Sequence, residues 1–179
     1  MNQKRKFSIS FIIISVLFIS LSSCTTTNPP INTGIKTPGT LAVSTVTSTA
    51  GGPFAPAHVM AIWIEDNSGK FVKTLLAKGQ TRRQYLANWL NATPSANTVD
   101  ASTGATLTSH GTITCNWNGT DVSGAVVSNG TYKVCIELTD KDASGNFSTF
   151  TFAKDTVANS QSPANKPSFS SISLKWTPQ

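Results

Sequence analysis

The chain has 179 residues, 14 basic and 8 acidic, giving a formal charge of +6. Three of the basic residues, Lys4, Arg5 and Lys6, precede an apolar run, and without residues 1–23 the charge falls to +3. The high isoelectric point thus belongs partly to the N-terminus, no basic run remains beyond Arg82-Arg83, and no nucleic-acid partner is implied.

Phe7 to Leu21 is apolar apart from serines. It is too short and too abruptly ended to span a bilayer permanently. Its end, Leu21-Ser22-Ser23-Cys24, resembles a lipobox. That resemblance makes residues 1–23 a lipoprotein signal peptide and Cys24 the acylated first residue of the mature chain. Two or more acyl chains anchor stably, where one binds marginally. The plainer alternative is an ordinary secretory signal with a chance cysteine. Thr25 does not resemble an inner-membrane retention signal, so the periplasmic side of the outer membrane is expected. Residues 24–40, rich in Thr, Pro, Asn and Gly, read as a flexible tether. Residues 41–176 are one domain by length, large enough to bury roughly two thirds of its unfolded surface.

The domain reads as strand after strand. Leu41 to Ser48 alternates, and Ala57 to Glu65 is apolar on both faces, as a central strand is. Asn67-Ser68-Gly69 turns the chain into Lys70 to Leu76. Gln84 to Leu90 is the segment able to hold a helical turn. Asn91 to Thr98 is loop-like. Gly111 to Trp117 and Gly130 to Asp140 alternate cleanly, Phe150 and Phe152 share a face, and so do Ile172, Leu174 and Trp176. Asn118-Gly119, Asn129-Gly130 and Ser144-Gly145-Asn146 supply the turns. The expected fold is all-β: a single antiparallel sandwich with almost no helix. Trp117, Tyr132, Val134, Ile136, Leu174 and Trp176 are its expected core.

Cys115 shares a strand face with Ile113 and Trp117. Cys135 lies with Lys133 and Glu137, opposite the apolar face of its strand. Strand parity therefore argues for separate thiols, one of them buried, although a bulge would allow a bond.

Two motifs stand out. Trp117, Gly119, Asp121, Gly124, Val127, Gly130 and Tyr132 form W-x-G-x-D-x-x-G-x-x-V-x-x-G-x-Y. This resembles the Ig-like hairpin repeat of flagellar hook-capping proteins, which speaks to fold rather than function. Asp100 to Thr106 reads D-x-x-T-G-A-T. It resembles the acceptor motif of bacterial flavin transferases, which join FMN through its phosphate to the last Thr. The resemblance makes Thr106 the acceptor and Asp100, Thr103, Gly104 and Ala105 its recognition context. Gly104 and Ala105 keep bulk away from the incoming group, and Asp100 contacts the transferase or braces the turn. Phosphoryl transfer needs an in-line nucleophile on an accessible segment, which fits a loop-to-strand junction.

From about Leu41 to Trp176 the chain is similar to the domain-of-unknown-function 2271 family of predicted periplasmic proteins. The similarity rests on residues 58–75 (HVMAIWIEDNSGKFVKTL), 82–89 (RRQYLANW), 100–106 (DASTGAT), the W-x-G-x-D segment and 172–176 (ISLKW). Genes of that family often lie beside membrane PepSY proteins and flavin transferases. The resemblance implies electron exchange with a membrane redox protein rather than enzymatic turnover.

Other candidates are less specific. His110, four residues after Thr106, lies within reach of a flavin but reads first as a solvent-exposed structural residue. Arg82 and Arg83 can neutralise a phosphate or sit on a solvated turn. Tyr85 and Trp89 can stack on a flavin ring, with core packing the favoured reading for Trp89, Trp63, Trp117 and Trp176. His58 and His110, the only histidines, lack clustered carboxylates or thiols and make a poor metal site. A periplasmic metal-binding module is thus the weakest reading. An Ig-like envelope lipoprotein that binds a protein or glycan is the main alternative to the flavin carrier.

Overall fold

The computed structural model describes residues 34–93 and 102–179. The signal peptide, Cys24, most of the tether and Asp100 lie outside the described residues. The strands are β1 (Gly39–Thr47), β2 (Val59–Asp66), β3 (Phe71–Lys78), β4 (Ser102–Gly104), β5 (Thr112–Trp117), β6 (Gly130–Thr139), β7 (Asn146–Lys154), β8 (Asn159–Gln161) and β9 (Phe169–Pro178). They form a sheet of order β5-β1-β9-β8 packed on a sheet of order β4-β3-β2-β6-β7. The fold is an all-β sandwich. Gly39 and Thr40, grouped with the tether by composition, already belong to β1.

The main core lies between the sheets and holds Leu41, Val43, Met60, Ile62, Ile64, Trp117, Tyr132, Val134, Ile136, Leu174 and Trp176. All six expected core residues are buried there. Strand β2 is apolar on both faces because both are covered. Met60, Ile62 and Ile64 face the main core, while Val59, Ala61 and Trp63 join Ala77, Leu86, Trp89 and Cys135 in a second cluster. The lid of that cluster is a 3-10 turn (Arg83–Tyr85) running into the short helix α1 (Ala87–Ala92). The N-cap residue of α1, Leu86, has no side chain able to cap it. Instead the buried carboxylate of Glu137 on β6 accepts from Asn88 N (3.2 Å), Asn88 Nδ2 (2.8 Å) and Trp89 N (2.9 Å). An acceptor from another element thus serves the unsatisfied first-turn amides. Helix α1 takes in Asn91 and Ala92, expected in a loop.

Two pairings differ from the sequence reading. β5 and β6, expected as hairpin partners, lie in different sheets: β5 pairs with β1, and β6 with β2 and β7. The connection between them makes its own small ladder, with Thr120 bridging Val126 and Val127 N donating to Gly119 O (3.0 Å). Trp117 Nε1 donates to Thr120 O (2.7 Å) and Tyr132 Oη to Ser128 O (2.6 Å), pinning each end of this crossover. The Asn-Gly turns are therefore used within a crossing loop. Secondly, β4 runs parallel to β3, with Lys78 opposite Gly104, so the larger sheet is not wholly antiparallel.

The cysteines follow strand parity. Both thiols are free, Cys115 packed against the main core and Cys135 buried in the second cluster. Burial pushes the Cys115 thiol up to about 12 and raises Cys135 as well, so neither is a thiolate near neutral pH.

Candidate functional site

β2 begins, and β3 and β4 end, at one end of the sandwich, where Thr106 also lies. Gly79 N donates to Gly104 O (3.1 Å), extending the β3–β4 ladder. Two residues past Thr106's neighbour Ala105, Leu107 exchanges both backbone hydrogen bonds with His58 (2.8 and 3.0 Å). Thr106 thus sits between two backbone clamps. It is half-buried, while Thr103, Gly104 and Ala105 are exposed. A Cβ on Gly104 would come 2.7 Å from Lys78 Nζ, so glycine leaves room for that ammonium group, which donates to Thr103 O (3.2 Å).

The ring of fully buried His58 stacks on His110, with centroids 4.4 Å apart and planes at 14°. His58 Nδ1 lies 3.0 Å from Pro56 O, and His110 Nδ1 is 3.4 Å from Thr47 Oγ1. His110 is therefore half-buried and stacked, not the solvent-exposed residue expected. Its four-residue spacing from Thr106 gave no sign that His58 would lie beneath it. Burial lowers the His58 pKa. The Pro56 carbonyl and Asp140 oppose that shift, and His110 adds to it. Burial alone would raise Asp140, but its carboxylate is held below the usual range by donors from Thr49 Oγ1 (2.5 Å), Ala50 N (2.9 Å) and Gly52 N (2.8 Å). This carboxylate fixes the loop that leads to Phe54 and His58.

A cleft of about 430 Å³ opens beside the motif, lined by Gly79, Gln80, Arg83, Thr103, Gly104 and Ala105. Gly79 has φ +145°, and a Cβ there would come 2.5 Å from Val59 Cγ1, so this position admits only glycine. Arg82 lies over the Phe54 ring at 4.0 Å, and the Arg83 guanidinium is 5.9 Å from the Trp89 ring. Among the described residues, the buried Nε atoms of Arg82 and Arg83 have no hydrogen-bond partner, nor do the Nε2 atoms of His58 and His110. The two arginines are not merely a solvated turn.

The aromatic candidates divide. Trp89 is fully buried, with Nε1 donating to Thr74 Oγ1 (3.2 Å), and so closed to a flavin ring; Trp63, Trp117 and Trp176 are also core. Tyr85 is half-buried. Among the described residues, no three His, Cys, Asp or Glu side chains gather where a metal ion would sit. Lys78, Gly79 and Gln80 escaped the sequence reading. A usable signal was present: between Asp66 and Asp100 the chain carries five basic residues and no acidic one.

A family model described as "Predicted periplasmic protein (DUF2271)" matches residues 43–167. The chain belongs to this family. The match runs from β1 through the motif to the approach to β9, so the Thr106 segment and the cleft are part of the family domain. No curated protein and no solved structure matches the chain.

Proposed function

We propose that this DUF2271 protein is a lipid-anchored redox carrier of the cell envelope, with FMN joined covalently to Thr106. The observation that carries this reading is the setting of Thr106. It is clamped at the backbone on both sides, preceded by exposed Gly104 and Ala105, and set beside a cationic cleft. Phosphoryl transfer rests on positioning and charge stabilisation. A segment held at Gly104 and Leu107 presents one hydroxyl without a bulky neighbour. The Thr106 Oγ1–P bond forms as the pyrophosphate bond of FAD breaks. AMP leaves, and the hydroxyl proton passes to a base of the transferase, which also holds the Mg²⁺.

Once bound, the flavin supplies one- and two-electron transfer. The chain's own residues anchor it through Thr106 and face it with Lys78 and Arg83. Acyl chains on Cys24 would hold the domain at the periplasmic face of the outer membrane, and its exchange partner would be a membrane redox protein. Co-expression with a flavin transferase is the test. The intact mass should rise by one FMN less a water, and Thr106→Ala should not gain it. An unmodified Thr106, beside a known acceptor labelled in the same tube, would return the protein to the class of envelope binding modules. For the anchor, Cys24→Ala should leave the membrane fraction; retention after high-salt washing would refute lipidation.

A further inference from the structure

We infer that the cleft lined by Arg83 and bordered by Lys78 is a built seat for the phosphate of FMN, and that it binds free FMN before any bond to Thr106 exists. The inference rests on the flavin reading above but stands on its own observations. Arg83 lines the cleft with Thr103, Gly104 and Ala105, and Lys78 Nζ borders it, lying against Gly104 and donating to the Thr103 carbonyl. Among the described residues neither cation is paired with a carboxylate, and Nε of Arg83 is buried without an acceptor. Buried donors without partners are costly, and each such group in a native protein calls for an explanation. An anion in the cleft provides the missing acceptor.

The dimensions agree. The cleft's volume of about 430 Å³ falls within the span of small-molecule sites, roughly 300–1,000 Å³. It is wider than a phosphate needs and has room for part of an attached group. Its lining includes the backbone of Gly104, where the absent side chain lets Lys78 Nζ come close to the cleft. Half-exposed Phe54, already under Arg82, offers an aromatic face at the same end.

The test uses detergent-solubilised full-length protein made without a transferase, titrated with FMN and with riboflavin at low ionic strength and followed by flavin fluorescence anisotropy. A charge-assisted hydrogen bond to the phosphate should make FMN bind at least about tenfold more tightly than riboflavin. Lys78→Gln with Arg83→Gln should erase that preference. Lys166→Gln, which removes an exposed charge elsewhere, should not. Added salt should weaken FMN and leave riboflavin unchanged. Equal affinities, no FMN binding, or inorganic phosphate binding as tightly as FMN would overturn the inference. If Thr106 stays unlabelled while phosphate-dependent binding holds, the seat survives and the covalent reading falls. If Thr106 is labelled without any phosphate preference, the reverse is true.

Discussion

The two ends of the sandwich treat polar groups in opposite ways. At the end away from Thr106, Trp117, Tyr132, Phe152 and Trp176 pack ring on ring, with centroids 5.3 to 6.3 Å apart. The buried ammonium of Lys154 is enclosed by Thr37 O (2.7 Å), Val127 O (2.9 Å) and Asn129 Oδ1 (3.1 Å). Trp176 Nε1 donates to Asp155 O at 2.8 Å. Two loops there use the same device: Asp66 Oδ1 accepts from Ser68 and Lys70, and Asp121 Oδ1 from Ser123 and Ala125. Among the described residues, the buried side-chain polar atoms without a partner belong to the other end: His58, His110, Arg82 and Arg83. A fold able to satisfy a buried lysine three times over leaves four donors or acceptors idle beside its flavin-acceptor-like motif. Each such buried group calls for an explanation.

The comparison breaks most readily at the aromatic end. Trp117→Ala should cost about 3–5 kcal/mol in urea denaturation, since it empties a closed aromatic cluster. A loss below about 1 kcal/mol, within the range of ordinary substitutions, would mean that this end is not the rigid one. Lys154→Met should cost less, about 1–3 kcal/mol, because it strands the acceptors the ammonium now serves. Burial lowers the Lys154 pKa. The unfolded chain therefore binds this proton more readily, and wild-type stability should rise with pH as the unfolded value of 10.5 is approached from below. Lys154→Met should lose that slope.

At the Thr106 end a smaller, pH-dependent effect is expected. The His58 pKa lies below its unfolded value of 6.5, chiefly through burial. The neutral ring therefore contributes stability that is complete above pH 6.5 and is lost as pH falls through the lowered folded value. The groups facing it are the Pro56 carbonyl, the His110 ring and Asp140. Melting temperature should drop between pH 7 and pH 5 in the wild type and drop less in His58→Asn. Asp140 adds its own loss only nearer its unfolded value of 3.8, so the two are separable along the pH axis.

The aromatic end was far more legible in the sequence than the Thr106 end. Period-2 alternation in Gly111–Trp117 and Gly130–Asp140 located the buried rings, because one face of each strand meets the core. Parity also separated Cys115 from Cys135. Alternation does not say which strands pair, so β5 and β6 were joined wrongly across a loop that crosses between sheets. β4 and β8 were missed because Ser102–Gly104 and Asn159–Gln161 are three-residue polar stretches with no period to read. Motif chemistry pointed to Thr106 and Gly104. The His58–His110 stack and the approach of Lys78 to Gly104 depend on tertiary closure, and no local spacing encodes either.

The smallest stability effect is expected from the most consequential change. Thr106→Ala removes a half-buried hydroxyl for which no hydrogen bond is found among the described residues. The clamps on either side are backbone bonds of Gly104 and Leu107, which alanine leaves in place. Surface substitutions of this kind fall within about 0.5 kcal/mol, so the melting curve should superimpose on the wild type. Flavin labelling, in contrast, should vanish, because the hydroxyl is the phosphoryl acceptor and a methyl group offers no nucleophile. Thr103→Ala should label at close to the wild-type extent. If Thr106→Ala melted well below the wild type, the segment would be a structural part of this end, and the contrast between a satisfied end and an available one would lose its main support.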